Sequence, residues 1–492
     1  MAKQIIDKPG RALSELDLLL QPGFVPADFS TDDVDLSAPL TRYKDGEESA
    51  LRLHTAVISS PMQAVFSPAL NVEVARLGGF SISNCSQPIE SQAEQRRTVR
   101  NRKAGFIVPS VISHDALIDE LYRTSTERGY STFPVTEDGT LNTPIVGMIT
   151  SRDYDIGRHR ELKVRDRMIP RDRIVFASYA AVGEDLKRAD DLLRDSHHGS
   201  MPVLLPDGRI KYMVFLKDIR EHRENPNELV DNQKRFLGGD AINTHDYEER
   251  VPTLVEAGST FLYITTSQAF SGHVATTLEY VLKNFPQIPV GAGNIVTPNG
   301  FRYLAERGAA CIGVGMGPGS ICKTQEQIGV GMAQATAIQE VAKARDEFHR
   351  KTEIYVPVIG DGGFSRAKDF VIGFAVGADI IMSGRIFAGT AESPTPVNYN
   401  VSPPSKPYWG EGSERARAWM TGRYDHARFE EGVEGRVQYV GPLKPYMQDF
   451  LFAVRDGLRK GGLRSIKDAY ENAMLRVMSE AASAEGRPHD LL

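Results

Sequence analysis

Ala56-Val57-Ile58-Ser59-Ser60-Pro61-Met62 is a short apolar run that stops in a polar turn, and Gly78-Gly79-Phe80-Ser81-Ile82-Ser83-Asn84-Cys85 is a second. Between them, Pro68 to Leu77 carries the apolar spacing of a helix. Strand, loop, helix, strand is the repeating unit of a parallel α/β fold. The alternation resumes after residue 226, with expected strands at Phe261–Thr265, Pro289–Gly293, Ala310–Val314, Tyr355–Ile359 and Asp379–Met382. Helical patterns fall between them, notably Thr276–Asn284, Gly300–Arg307 and Ala333–Arg350. Together with the units before residue 104 the strands number about eight, enough to close a (β/α)8 barrel with its chemistry at the strands' C-terminal ends. An open doubly wound sheet is the competing architecture, but the Gly-x-Gly-x-x-Gly it needs after an early strand is missing.

From 105 to 225 the texture changes to two similar units, each a helical segment followed by a hairpin-like pair of strands. The first ends Pro144-Ile145-Val146-Gly147-Met148-Ile149-Thr150-Ser151-Arg152-Asp153, the second Arg209-Ile210-Lys211-Tyr212-Met213-Val214-Phe215-Leu216-Lys217-Asp218. In each a β-rich run ends in a polar residue, a basic residue and an Asp expected to cap the next helix. A duplication of about sixty residues inside an insertion predicts a separately folded module. The domain reading is therefore barrel at 1–104, module at 105–225, and barrel again at 226–492. Within the last part, residues 395–445 are rich in Pro, Gly, Arg and Tyr with little periodicity, which predicts a lid.

The bulk properties narrow the partners. A net charge of −6 provides no basic field for nucleic acid. A local backbone site for a phosphate needs no such field. The three cysteines, Cys85, Cys311 and Cys322, are too few and too scattered for a disulfide framework or a zinc site, which fits a reducing cytoplasm. Neither a signal peptide nor a membrane-spanning apolar run is evident.

The chemistry concentrates in Val314-Gly315-Met316-Gly317-Pro318-Gly319-Ser320-Ile321-Cys322-Lys323-Thr324. Buried inert cysteines are seldom set among glycines and a proline. A thiol beside a cation or a helix start can act as a nucleophile. Cys85 and Cys311, in apolar strand-like contexts, read as small core residues. Gly360-Asp361-Gly362-Gly363-Phe364-Ser365 and Met382-Ser383-Gly384-Arg385 each end a strand before a helix, where backbone N–H groups can approach a phosphate. Asp361 suits a pair of ribose hydroxyls better than a phosphate.

These residues resemble the IMP dehydrogenase family over nearly the whole chain. The Gly317–Thr324 stretch is similar to that family's catalytic loop. Ser60-Pro61-Met62, Gly360-Asp361-Gly362-Gly363, Tyr408-Trp409-Gly410-Glu411-Gly412-Ser413, Arg423-Tyr424 and Glu431-Gly432-Val433-Glu434-Gly435-Arg436-Val437 match further blocks in order. The resemblance implies a barrel interrupted by a pair of cystathionine-synthase-type repeats. It implies that Cys322 attacks C2 of the purine of inosine 5′-monophosphate (IMP), that hydride passes to NAD, and that the covalent intermediate is hydrolysed to the xanthine nucleotide. Arg423 with Tyr424 would activate water, with Thr324 and Glu431 as a second proton path. Ser320, Gly363 and Gly384 would hold the phosphate, joined by Arg385 where the family usually has Ser, and Asp361 the ribose. Ser60, Met62, Tyr408, Gly410, Glu411, Gly412 and Glu431 would line the rest of the IMP site. Thr265, Ser267, Asn294 and Gly315 would face the dinucleotide. Carbonyls of Gly317, Gly319 and Cys322 would bind potassium, completed by Glu485, Gly486 and Arg487 of a neighbouring subunit, which implies a homotetramer. The repeat module implies an adenine or guanine nucleotide and assembly to octamers.

The chain departs from the family pattern at four places. Thr265 replaces a common Asp, Gly313 a common Arg or Lys, Arg385 a usual Ser, and Arg487 a usual Gly. Thr265 and Gly313 are expected to alter dinucleotide affinity or choice. The related GMP reductases share the Cys, Thr and Glu but have no use for the Arg–Tyr pair. A nucleotide-sensing paralogue of low activity is the third expectation.

Overall fold

The computed structural model describes residues 12–102, 105–128, 131–183, 185–232, 234–418 and 431–486. Two compact units divide the chain, one made of Met1–Val99 with Leu237–Leu492, the other of Arg100–Phe236.

The first unit is a closed, all-parallel barrel of eight strands. In chain order they are β1 (Val57–Ser59), β2 (Phe80–Ser83), β3 (Gly239–Ile242), β4 (Leu262–Thr265), β5 (Val290–Ile295), β6 (Ile312–Val314), β7 (Val358–Asp361) and β8 (Ile380–Ser383). Neighbouring strands follow sequence order, and β8 closes on β1 with Ile381 opposite Val57 and Ser383 opposite Ser59. Strands covered on both faces read as unbroken apolar runs, and Ile380, Ile381 and Met382 are all fully buried. Several crossover helices start with a hydroxyl cap ahead of a proline. Ser67 accepts from the amide of Leu70 ahead of Pro68–Arg76, and Thr297 from that of Gly300 ahead of Pro298–Glu306.

One expected strand shifts. Tyr355–Ile359 divides into Ile354–Tyr355, paired with Tyr43–Lys44, and β7, which starts at Val358. Pro357 lies at the break and has no N–H to give a ladder. The stretch 395–445, expected to lack regular structure, contains an antiparallel hairpin of β9 (Ser405–Trp409) and β10 (Glu434–Gln438). The two runs are separated by a long connection, so neither shows a hairpin turn in sequence.

In the second unit each repeat pairs a helix with an antiparallel strand pair. Ile118–Arg128 precedes Thr132–Thr136 and Ile145–Thr150, and Leu186–Asp195 precedes Ser200–Leu204 and Ile210–Phe215. Each repeat has a core of its own, one around Phe133 and Ile149, the other around Val203 and Val214. The unit runs wider than 105–225 because its ends tie together: Arg100 pairs with Asp231 at 2.7 Å and the Phe236 amide donates to the Arg102 carbonyl. Asp153 does not cap the next helix. It accepts from the amide and hydroxyl of Thr150, and Asp155 caps instead. Among the described residues no helix is long and apolar enough to cross a membrane.

Candidate active site

The C-terminal ends of the barrel strands enclose a cavity of about 280 Å³. It gathers Ser60, Met62, Thr265, Ser267, Asn294, Gly315, Gly317, Gly319, Ser320, Cys322, Thr324, Asp361, Gly363, Gly384, Arg385, Tyr408, Gly410, Glu411, Gly412 and Glu431 on one lining. Glu485 and Gly486 lie away from it, at the end of the exposed helix Glu480–Glu485. Arg423, Tyr424 and Arg487 lie outside the described residues.

The loop after β6 is shaped by glycine. Gly317 has φ +95°, and a Cβ there would collide with the side chain of Gln325. Gln325 then donates to the Met316 carbonyl at 2.6 Å, pinning the loop to the short helix Thr324–Ile328. That helix begins two residues after Cys322, nearer than the helix expected from Ala333. The amide of Cys322 donates to the Gly319 carbonyl at 2.9 Å.

A short antiparallel seam fastens this loop to the chain just before β10. The Lys323 amide donates to Glu431 O and the Val433 amide to Ile321 O, each at 2.9 Å. The seam brings three side chains into line. The part-exposed Cys322 thiol donates to Thr324 Oγ1 at 3.3 Å, and the Thr324 hydroxyl donates to Glu431 Oε2 at 3.2 Å. A hydroxyl between a thiol and a carboxylate is a proton path with donors and acceptors in the right order. By contrast Cys85 and Cys311 are fully buried, and burial pushes the Cys311 thiol up, which keeps it inert.

Across the cavity, Gly362 and Gly363 follow β7 with φ near +90° in succession, a conformation that favours glycine, and both line the cavity. Gly384 is equally confined, since a Cβ would lie 2.7 Å from the Tyr408 hydroxyl and 2.8 Å from Met62 Sδ. Arg385 is exposed on the cavity wall. Burial raises the Tyr408 phenol, and the nearby Arg385 charge partly offsets this. Asp361 sits at the end of β7, part-buried on the cavity wall. Burial pushes its carboxyl up to about 6, against hydrogen bonds from Asn294 and Ser60 that favour the charged form. Asn294 Nδ2 donates to Asp361 Oδ2 at 2.8 Å, so this amide, expected on the dinucleotide side, also supports the carboxylate.

Some site residues escaped the sequence reading. Gln63 ties the loop after β1 to the hairpin: its amide donates to Glu411 Oε1 at 2.7 Å and its Oε1 accepts from Trp409 Nε1 at 3.1 Å. The Ser86 hydroxyl donates to the other Glu411 oxygen. Glu15, almost fully buried, sets Oε1 2.7 Å from the point where a Cβ on Gly363 would stand, and burial raises its carboxyl. Thr266 and Met316, also on the lining, are adjacent to chosen residues, so spacing was a usable signal for them. For Gln63, Ser86 and Glu15 no local signal exists.

The family model described as IMP dehydrogenase / GMP reductase domain matches residues 12–489. The inosine-5′-monophosphate dehydrogenase of Tritrichomonas foetus is 39% identical over 487 residues, covering 97% of this chain and 95% of that protein. The enzyme of the same name from Aquifex aeolicus is 32% identical over 486 residues, covering 96% and 94%. Among solved structures, a GMP reductase from Trypanosoma brucei in complex with guanosine 5′-monophosphate superposes with a TM-score of 0.85 over 98% of both chains, at 24% identity, a likeness of fold. A family match over nearly the entire length, joined by relatives above 30% identity, settles the lineage: the chain belongs to the IMP dehydrogenase/GMP reductase family.

Proposed function

We propose that this protein oxidises IMP to xanthosine 5′-monophosphate, with NAD as hydride acceptor, through a covalent bond between Cys322 and purine C2. The observation that carries the reading is the Cys322–Thr324–Glu431 chain on the wall of a cavity whose other wall holds Gly363, Gly384 and Asp361. The two walls match the two ends of a nucleoside monophosphate.

Cys322 loses its proton along Thr324 towards Glu431 and its sulfur adds to C2, while the C2 hydrogen departs with its electron pair. Bound NAD supplies the acceptor for that pair; Thr265, Ser267, Asn294 and Gly315 line the side of the cavity where it would lie. Water then adds to C2, its proton is taken by Arg423 in its neutral form or by the Thr324–Glu431 path, and the C2–S bond breaks to return the thiol. Splitting oxidation from hydrolysis at a covalent stage lowers each barrier separately. Ser320, Gly363, Gly384 and Arg385 take the phosphate, the last with geometry suited to two oxygens at once. Asp361 takes the ribose hydroxyls. Ser60, Met62, Tyr408, Gly410, Glu411 and Gly412 shape the remainder.

Carbonyls on the glycine-rich Cys322 loop offer hard oxygen donors for potassium. Gly317 and Gly319 are the donors on this chain, with Cys322 O, and Glu485, Gly486 and Arg487 would come from another subunit of a homotetramer. In the unit Arg100–Phe236 a cavity of about 180 Å³ is lined by Arg102, Ser110, Thr132, Lys217 and Asp218. Two cations, a carboxylate and hydroxyls support an adenine or guanine nucleotide on a cystathionine-synthase-type module. Three scattered cysteines in 492 residues fit the cytoplasm.

Purified protein with IMP, NAD and potassium should produce NADH absorbance. Silence there with NADPH consumption on GMP would replace the reading by GMP reduction, and silence in both by a sensing role.

A further inference from the structure

Tyr263 in β4 belongs to none of the roles above, yet it is among the largest fully buried side chains of the described residues. It is 1% exposed. Three glycines on the next two strands make room for it. A Cβ on Gly291 would stand 2.9 Å from its ring, and a Cβ on Gly293 or Gly313 would collide with its phenol oxygen. Sequence presents these as unrelated small residues; in the barrel they form one pocket for one ring.

That phenol oxygen makes no hydrogen bond among the described residues. Buried hydroxyls are rarely left so without a reason. The acceptor beside it is Asn294 Oδ1, which borders the same point on Gly313, 2.8 Å from where the Cβ would be. The other end of that amide donates to Asp361. We propose that Tyr263 is a positioning residue for Asp361: in the free protein a small rotation of ring or amide lets its hydroxyl donate to Asn294 Oδ1, which fixes the amide so that Nδ2 donates to the carboxylate that grips the ribose. A donor on the amide oxygen also polarises the N–H groups at its other end.

The inference rests on the reading of Asp361 as the ribose-binding carboxylate. The groups facing that carboxyl are Ser60 from the loop after β1, Tyr263 from β4, Asn294 from β5 and Tyr408 from β9, with Arg385 beyond Tyr408 and Cys311 beside Tyr263. Asn294 favours the charged form, so loosening it raises the carboxyl further. IMP binding, which needs the carboxylate, is then lost at higher pH than in the native protein.

The test is calorimetric titration of IMP between pH 5.5 and 8.5, about the carboxyl's value near 6. The IMP phosphate titrates in this range too, so each variant is read against the native protein at the same pH. Tyr263→Phe should bind IMP about threefold to tenfold more weakly at the acid end and within about twofold at the alkaline end, since a one-unit shift is a tenfold effect only below the pKa. Asn294→Ala should show the same tilt, and the double variant should add nothing to it. Loss by one factor at every pH, no loss, or additive losses would overturn the proposal. If Tyr263→Phe does not fold, native-like pH dependence in Asn294→Ala overturns it alone. Asp361→Asn separates the underlying reading: native affinity in that variant refutes the ribose role itself, whatever Tyr263→Phe does.

Discussion

Replacing Thr324 by Val removes one hydroxyl and keeps the shape, which isolates the proposed proton path. Thr324 is 5% exposed and bridges a thiol at 3.3 Å and a carboxylate at 3.2 Å. A thiol is a weak donor and the hydroxyl–carboxylate separation is long for O–H···O, so their direct contribution to stability is small, about 1 kcal/mol together. Their loss should not unfold the protein. Positioned proton transfer is worth about 10² to 10⁴ in rate. Glu431 stays seamed to the loop through the Lys323 amide, and a water can stand in for the hydroxyl, which places the expected loss at the low end. Turnover should fall about a hundredfold, or about 2.7 kcal/mol of barrier, with IMP affinity within about twofold. Stopped-flow NADH absorbance with IMP and NAD measures the first turnover, and calorimetry measures binding. Turnover within about threefold of native would refute the path, because a hydroxyl that carries no proton is then only packing.

Other expectations follow from the same coordinates. Cys322→Ala should abolish turnover and retain IMP binding; measurable steady-state NADH production from that variant refutes the nucleophile. Arg96, fully buried, holds Asp240 through Nε at 2.9 Å and also bonds Asn71, while Ser83 donates to the same carboxylate. Arg96→Met strands that charge between β2 and β3 and should cost about 3–5 kcal/mol in denaturant titration; a loss under about 1 kcal/mol refutes the pairing's importance. Lys406 is buried with its ammonium on the carbonyls of Thr390 and Ser393, and burial brings it down to about 8. Because its folded value lies below its ordinary one, the unfolded chain binds the proton more tightly between the two, and stability should rise with pH from about 8 towards 10.5. Lys406→Met should flatten that rise in melts taken across the range, and an unchanged slope refutes the assignment.

How far the site was legible depended on how local its signals are. The Cys322 loop reads from sequence because glycine at a positive φ, a turn and a nucleophile lie within a few residues. Asp361 and Gly363 read for the same reason. Gln63 and Glu411 meet across 348 positions of chain, and neither has a distinctive neighbourhood. Glu15 behind Gly363 is a carboxylate in an ordinary-looking N-terminal stretch until the fold buries it. The hairpin of β9 and β10 was missed because pairing between distant runs leaves no period in either.

Sequence by itself determined the parallel α/β unit, the inserted repeat and the loop that bears the thiol, since each depends on residue spacing along a short length of backbone. Only the tertiary structure decided which side chains share a wall. Closing eight strands brings Thr324 to Glu431, Asn294 to Asp361 and Tyr263 over three glycines, and such pairings arise from barrel register and packed volume, which no short window of sequence contains.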